Sequence, residues 1–170
     1  MALFTSARPV GLDEVNDAMD LGLRVDALVI TPGDWLEFNR AGATPSQLSE
    51  SFGYVARRLN VEPGSIAVPR DLEPEAGELI HFAAGPGYRA VGTNPNASGM
   101  GLLTAERGLA LAALLSDAPA ALVIHPCGVI AAVSGIWHQL PKGVVNRTIA
   151  HMRFQVEGRG KVFSLSHLRV

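Results

Sequence analysis

Apolar and polar positions divide this chain into short elements punctuated by proline and glycine. The clearest helical pattern has Leu48, Phe52, Val55, Ala56 and Leu59 on one face, behind the capping box Thr44-Pro45-Ser46-Gln47. Arg57 and Arg58 fall off that face, toward solvent. A second helix is predicted from Gly11 to Leu21, where Leu12, Val15 and Met19 recur at helical spacing and Asp13 and Glu14 suit the positive end of the helix dipole. Gly22 stops it. A third is predicted from a Thr104 cap through Leu109, Leu111, Ala112 and Leu115, apolar nearly all round, to Asp117-Ala118-Pro119. Thr31-Pro32-Gly33-Asp34 fits either a helix start or a hairpin turn returning through Trp35 to Phe38.

Strands are expected where β-branched or continuous apolar runs meet turn residues. Arg24 to Ile30 is one, Ser65 to Val68 a short edge strand, and Glu78 to Ala83 pairs with Tyr88 to Val91 across Gly85-Pro86-Gly87. Ala120 to Ile124 and Val129 to Val133 have the unbroken apolar character of central strands buried on both faces. Near the C-terminus Met152, Phe154 and Val156 alternate with Arg153, Gln155 and Glu157, which predicts a β-hairpin over residues 150–169 turning at Gly158-Arg159-Gly160. The predicted fold is a single α+β domain over residues 1–170. Three to four helices pack on a mixed, mostly antiparallel sheet of about five to seven strands, which ends in the C-terminal β-hairpin.

Composition agrees with a packed fold, since 170 residues that are 48% hydrophobic and 18% charged lie far from the signature of disorder. One cysteine excludes an intramolecular disulfide framework and favours a reducing, cytoplasmic setting. The first twenty residues lack the basic and apolar regions of a signal peptide. The longest apolar stretch is broken at Ser116-Asp117-Ala118-Pro119 and again at His125-Pro126, too soon for a membrane-spanning helix.

Charge changes the picture more than composition does. Residues 137–170 hold six bases against one acid, a net +5, while residues 1–136 hold eight bases against fifteen acids, a net −7. Such a split suits a surface that meets another molecule, or two parts of one subunit that neutralise each other. The first alternative predicts a non-catalytic interaction or assembly subunit that docks protein partners or copies of itself. Its contact residues are expected to be Lys142, Arg147, Arg153, Arg159 and Lys161, with the glycine loops at Gly85, Gly87, Gly99 and Gly101. Nucleic acid ranks behind protein as the partner, because exposed aromatics for base stacking are few and the pI is about 6.2.

Candidate chemistry centres on Cys127, flanked by His125 and Gly128, which would act as a nucleophile if His125, His138 or His151 served as its base. A buried structural thiol is the competing reading. No cofactor or metal is expected. His125 and Cys127 share a face at an interval of two, but His81, His138, His151 and His167 are scattered without a paired ligand spacing. Neither a dinucleotide-binding glycine fingerprint, nor a phosphate loop, nor a serine elbow occurs.

Overall fold

The computed structural model describes residues 4–20, 22–32, 53–62, 65–67, 80–82, 101–113, 120–134 and 143–168. Their order is β1 (Phe4–Pro9), α1 (Asp13–Asp17), β2 (Leu28–Pro32), α2 (53–59), β3 (Ile66–Ala67), β4 (Ile80–Phe82), β5 (Gly101–Thr104), β6 (Ala110–Leu111), β7 (Ala120–His125), β8 (Val129–Ser134) and α3 (Val144–Gly158). A 3-10 turn at Leu165–His167 follows.

The expected single sheet of five to seven strands is not what forms. Among the described residues the strands divide into an antiparallel pair β1-β2, a parallel pair β3-β6, and a four-stranded sheet in the order β4-β5-β8-β7. Only the last is large enough to carry a core. In it β7 and β8 form a tight antiparallel hairpin, β5 joins β8 antiparallel, and β4 joins β5 in parallel. Parallel strands cannot be linked by a tight turn. The proposed hairpin partner of Glu78 to Ala83, and the turn at Gly85 and Gly87, lie outside the described residues, as does the chain after Pro32 that fits either a helix or a hairpin.

The C-terminal hairpin is a helix. Val144, Thr148, Met152 and Val156 are its buried residues, each four positions from the last, so a helical repeat governs where an alternation of two was read. Met152 and Val156 satisfy both patterns, whereas Phe154, which alternation would bury, is 73% exposed. Gly158-Arg159-Gly160 ends the helix instead of turning a hairpin. Gly160 takes φ +69°, its N–H bonds the Glu157 carbonyl at 2.9 Å, and the Lys161 N–H bonds that of Val156 at 3.2 Å. That is a Schellman closure, which satisfies carbonyls the helix leaves unpaired.

The Thr104 helix is also corrected, because the chain there runs as β5, a turn, and β6. Thr104 is fully buried and its Oγ1 accepts from the Glu106 N–H at 3.1 Å, as a helix cap would, yet Gly108 at φ +78° turns the chain before a helix can grow. Leu109, Ala110 and Leu111 have good helix propensity, yet β6 forms because β3 supplies its ladder, while β8 supplies a buried one for β5.

Elsewhere the patterns lead to the expected elements with shifted bounds. α1 is only five residues long, and the strand expected from Arg24 begins at Leu28. Asn16 causes that delay, because its side chain donates to the Val25 carbonyl at 3.0 Å and accepts from the Val25 N–H at 2.8 Å. α2 buries Val55 and Ala56 and exposes Arg57 and Arg58 as its amphipathic spacing requires.

α3 lies against β8, β5 and β4 and covers one face of the four-stranded sheet. Leu103, Val123, Val129, Ala131, Met152 and Val156 form the core between them. Each fully buried aliphatic side chain of this kind stabilises the fold by about 1.5–3 kcal/mol relative to exposure. On the opposite face Leu102 packs with Ala67 and Leu109, while Ile66 joins Val55 and Ala56. β8 lies inside the sheet between β5 and β7, and β7 ends the order among the described residues, so the pair expected to be central contains one central strand.

Candidate functional site

The hairpin between β7 and β8 turns through Pro126, Cys127 and Gly128, and this turn brings together the groups with chemical potential. The Gly128 N–H closes it on the His125 carbonyl at 2.9 Å. Gly128 adopts φ +88°, and a Cβ there would meet Leu23 Cδ1 at 3.2 Å, so the position excludes larger residues on two grounds. The loop after α1 holds the turn from outside, with the Asp20 N–H donating to the Pro126 carbonyl at 2.9 Å.

Within the turn, Nδ1 of His125 lies 3.0 Å from Sγ of Cys127 and 3.3 Å from the Cys127 backbone N–H, which donates to it. Nδ1 is therefore an acceptor, and the proton of the neutral ring belongs on Nε2. His125 is buried, and Nε2 has no hydrogen-bond partner of sound geometry among the described residues. Phe163 stacks on the ring at 5.8 Å and 15°, and His167 meets it edge-on at 5.8 Å. Burial, and next the charge of His167, lower the His125 pKa from its ordinary value, while Asp20 and the Val162 backbone pull the other way. The imidazole is thus held neutral with its lone pair toward a thiol.

Cys127 is half-buried, touching the core beneath α3 and also a cleft on the opposite face of the sheet. This cleft has a volume of about 800 Å³, with Leu122, Ile124 and Ile130 on the sheet side and Val55 and Leu59 of α2 facing them. Its size falls within the range of sites that hold small molecules.

The basic residues sort differently. Arg147, Arg153, Arg159 and Lys161 are all exposed, on α3 and the chain just after it. Arg153 Nε pairs with Glu157 Oε1 at 2.8 Å one turn along the helix, and Lys161 Nζ reaches Asp20 Oδ2 at 3.3 Å. Among the described residues Arg147 and Arg159 have no carboxylate within ion-pair distance. Between and around these cations stand Phe154, Val162 and Leu165, 73%, 79% and 65% exposed.

Of the residues singled out in the sequence, the structure brings His125 and Cys127 together and places His151 on an exposed face of α3. Gly101 is buried in β5, paired with Ile80 and Val133, and forms no part of a surface loop. His138, Lys142, Gly85, Gly87 and Gly99 lie outside the described residues. Phe163, His167 and Asp20 have no motif that would link them to His125, since only the path of the chain after α3 carries them there. Among the described residues no group of three or more His, Cys, Asp or Glu side chains could hold a metal ion, and no helix is long and apolar enough to cross a membrane.

No protein-family model matches the sequence, and no curated protein is detectably similar to it. Among solved structures the chain is similar to YlmD from Geobacillus stearothermophilus, with a TM-score of 0.53 and 18% sequence identity. The match covers 67% of this chain and 43% of that one, so this chain corresponds to less than half of its neighbour's length. At that identity the likeness is one of fold.

Proposed function

We propose that this chain is a protein-assembly subunit that docks a second copy of itself through α3 and the segment after it. The observation that carries the reading is the exposure of Phe154, Val162 and Leu165 beside Arg147, Arg153, Arg159 and Lys161. Single exposed apolar residues are ordinary, but an aromatic and two aliphatics within one arginine-rich stretch have the composition of an interface centre.

Charge complementarity favours a second copy as the occupant, because the basic C-terminal part of one subunit, net +5, suits the acidic remainder of another, net −7. The two internal ion pairs do not exhaust this charge. Both are exposed, such pairs contribute about 0–1 kcal/mol, and both remain free to exchange partners.

Light scattering on the 17.9 kDa chain tests the proposal. A dimer is expected at low ionic strength, loosening as salt shortens the Debye length from about 30 Å at 0.01 M toward 3 Å at 1 M. Phe154→Ser and the charge reversal Arg153→Glu with Arg159→Glu should each shift the equilibrium to monomer, with circular dichroism showing that each variant remains folded. A chain that stays monomeric at every salt concentration and at the highest soluble protein concentration sinks the reading.

A further inference from the structure

The assembly reading does not invoke the thiol of Cys127 or the imidazole of His125, although Arg159 lines the same cleft. We propose that Cys127 is a nucleophilic thiol served by His125, and that it accepts an aliphatic acyl group from an acyl thioester whose chain lies in the cleft.

Three features carry this. The Sγ to Nδ1 separation of 3.0 Å is hydrogen-bond reach for a thiol and its base, and the ring cannot swing away, because Phe163 stacks on it and the Cys127 N–H holds Nδ1. His125 is also buried, and desolvation keeps the ring neutral, so Nδ1 meets the thiol as an unprotonated acceptor. Finally, the cleft that Cys127 lines presents aliphatic side chains, Leu122, Ile124, Ile130 and Leu59 among them, which suit a hydrocarbon chain, while Arg107 and Arg159 at the same cleft suit an anionic carrier.

The step balances without redox change. Sγ attacks the acyl carbonyl carbon and a new S–C bond forms, while the thiol proton passes to Nδ1. The S–C bond of the incoming thioester then breaks, and its thiolate leaves with the proton that Nδ1 held. Imidazolium at a buried, desolvated ring is unfavourable, so His125 relays the proton instead of retaining it.

Octanoyl-coenzyme A is the probe, with intact-protein mass spectrometry as the readout. The expected result is a single octanoyl adduct that is removed by hydroxylamine and absent in Cys127→Ser. His125→Gln should slow its formation about a hundredfold or more, from the low end of what a positioned base contributes upward. Because that substitution also touches the core, circular dichroism monitors its fold, and the wild-type pH profile is the second readout. The rate should fall as pH drops and His125 becomes protonated. Acetyl-coenzyme A should react more slowly than the octanoyl compound on the same protein. No adduct on a Cys127 that iodoacetamide still labels overturns the proposal. Equal rates in wild type and a folded His125→Gln remove the base, and equal rates for acetyl and octanoyl donors remove the chain from the cleft. The assay is independent of oligomeric state, so its failure leaves the assembly reading standing, and the reverse holds too.

Discussion

At the scale of single residues, the β7-β8 turn depends on one glycine and one histidine. Gly128→Ala places a Cβ in a left-handed backbone conformation that costs about 1–2 kcal/mol, and adds the encounter with Leu23. A fall in the urea midpoint at unchanged slope is the expected signature. His125 makes stability depend on pH. Its folded pKa lies below the unfolded value of 6.5, so between the two the unfolded chain binds more protons. Its contribution is therefore complete above about pH 6.5 and is lost as pH falls through the lowered folded value. The groups facing the ring are Cys127, His167 and Asp20, with Lys161 paired to Asp20. Urea melts at pH 7.5 and pH 5 should differ more in wild type than in His125→Gln, and identical differences would show that His125 is not the sensor. The pair His125-Cys127 was legible in the sequence because two residues apart on a strand end share a face. Its surroundings were not, because Phe163 and His167 arrive from the far side of α3.

Among the elements, α3 is decisive for stability. Met152 is fully buried between α3 and the sheet, and Met152→Ala should cost about 2–5 kcal/mol, read as a lowered denaturant midpoint. α3 also shows how a sequence pattern misleads. Met152 and Val156 lie four apart, an interval that a strand and a helix both place on one side, and Phe154 between them tipped the reading toward a strand. The discriminating signal lay one turn earlier, where Val144 and Thr148 continue the step of four and no alternation does. Thr148 is suited to this place because its Oγ1 donates to the Val144 carbonyl at 2.8 Å, so a buried hydroxyl goes satisfied. The segment after Thr104 is the opposite error. Leu109, Ala110, Leu111 and Ala112 carry good helix propensity, a bias of at most about 1 kcal/mol per residue, and the pairing of β6 with β3 outweighs it.

For the whole molecule, the charge split is the quantity that sequence alone could supply. Carboxylates and cations that a hairpin would have alternated are instead distributed around a helix, and the helix still presents its arginines outward. The assembly proposal rests on the exposure of these arginines and of Phe154, Val162 and Leu165, and it does not require a hairpin. The likeness to a solved structure more than twice the matched length is one of fold.

What the sequence determined by itself was local. It specified the β7 and β8 strands, the amphipathic face of 53–59 and the net charge of each part, because these depend on neighbouring residues and on preferences that travel with the residue type. The tertiary structure decided which strands share a sheet, whether the segment after Thr104 is helix or strand, and what surrounds His125. Those outcomes turn on contacts between residues tens of positions apart, where hydrophobic burial against a particular partner exceeds the small differences in intrinsic preference.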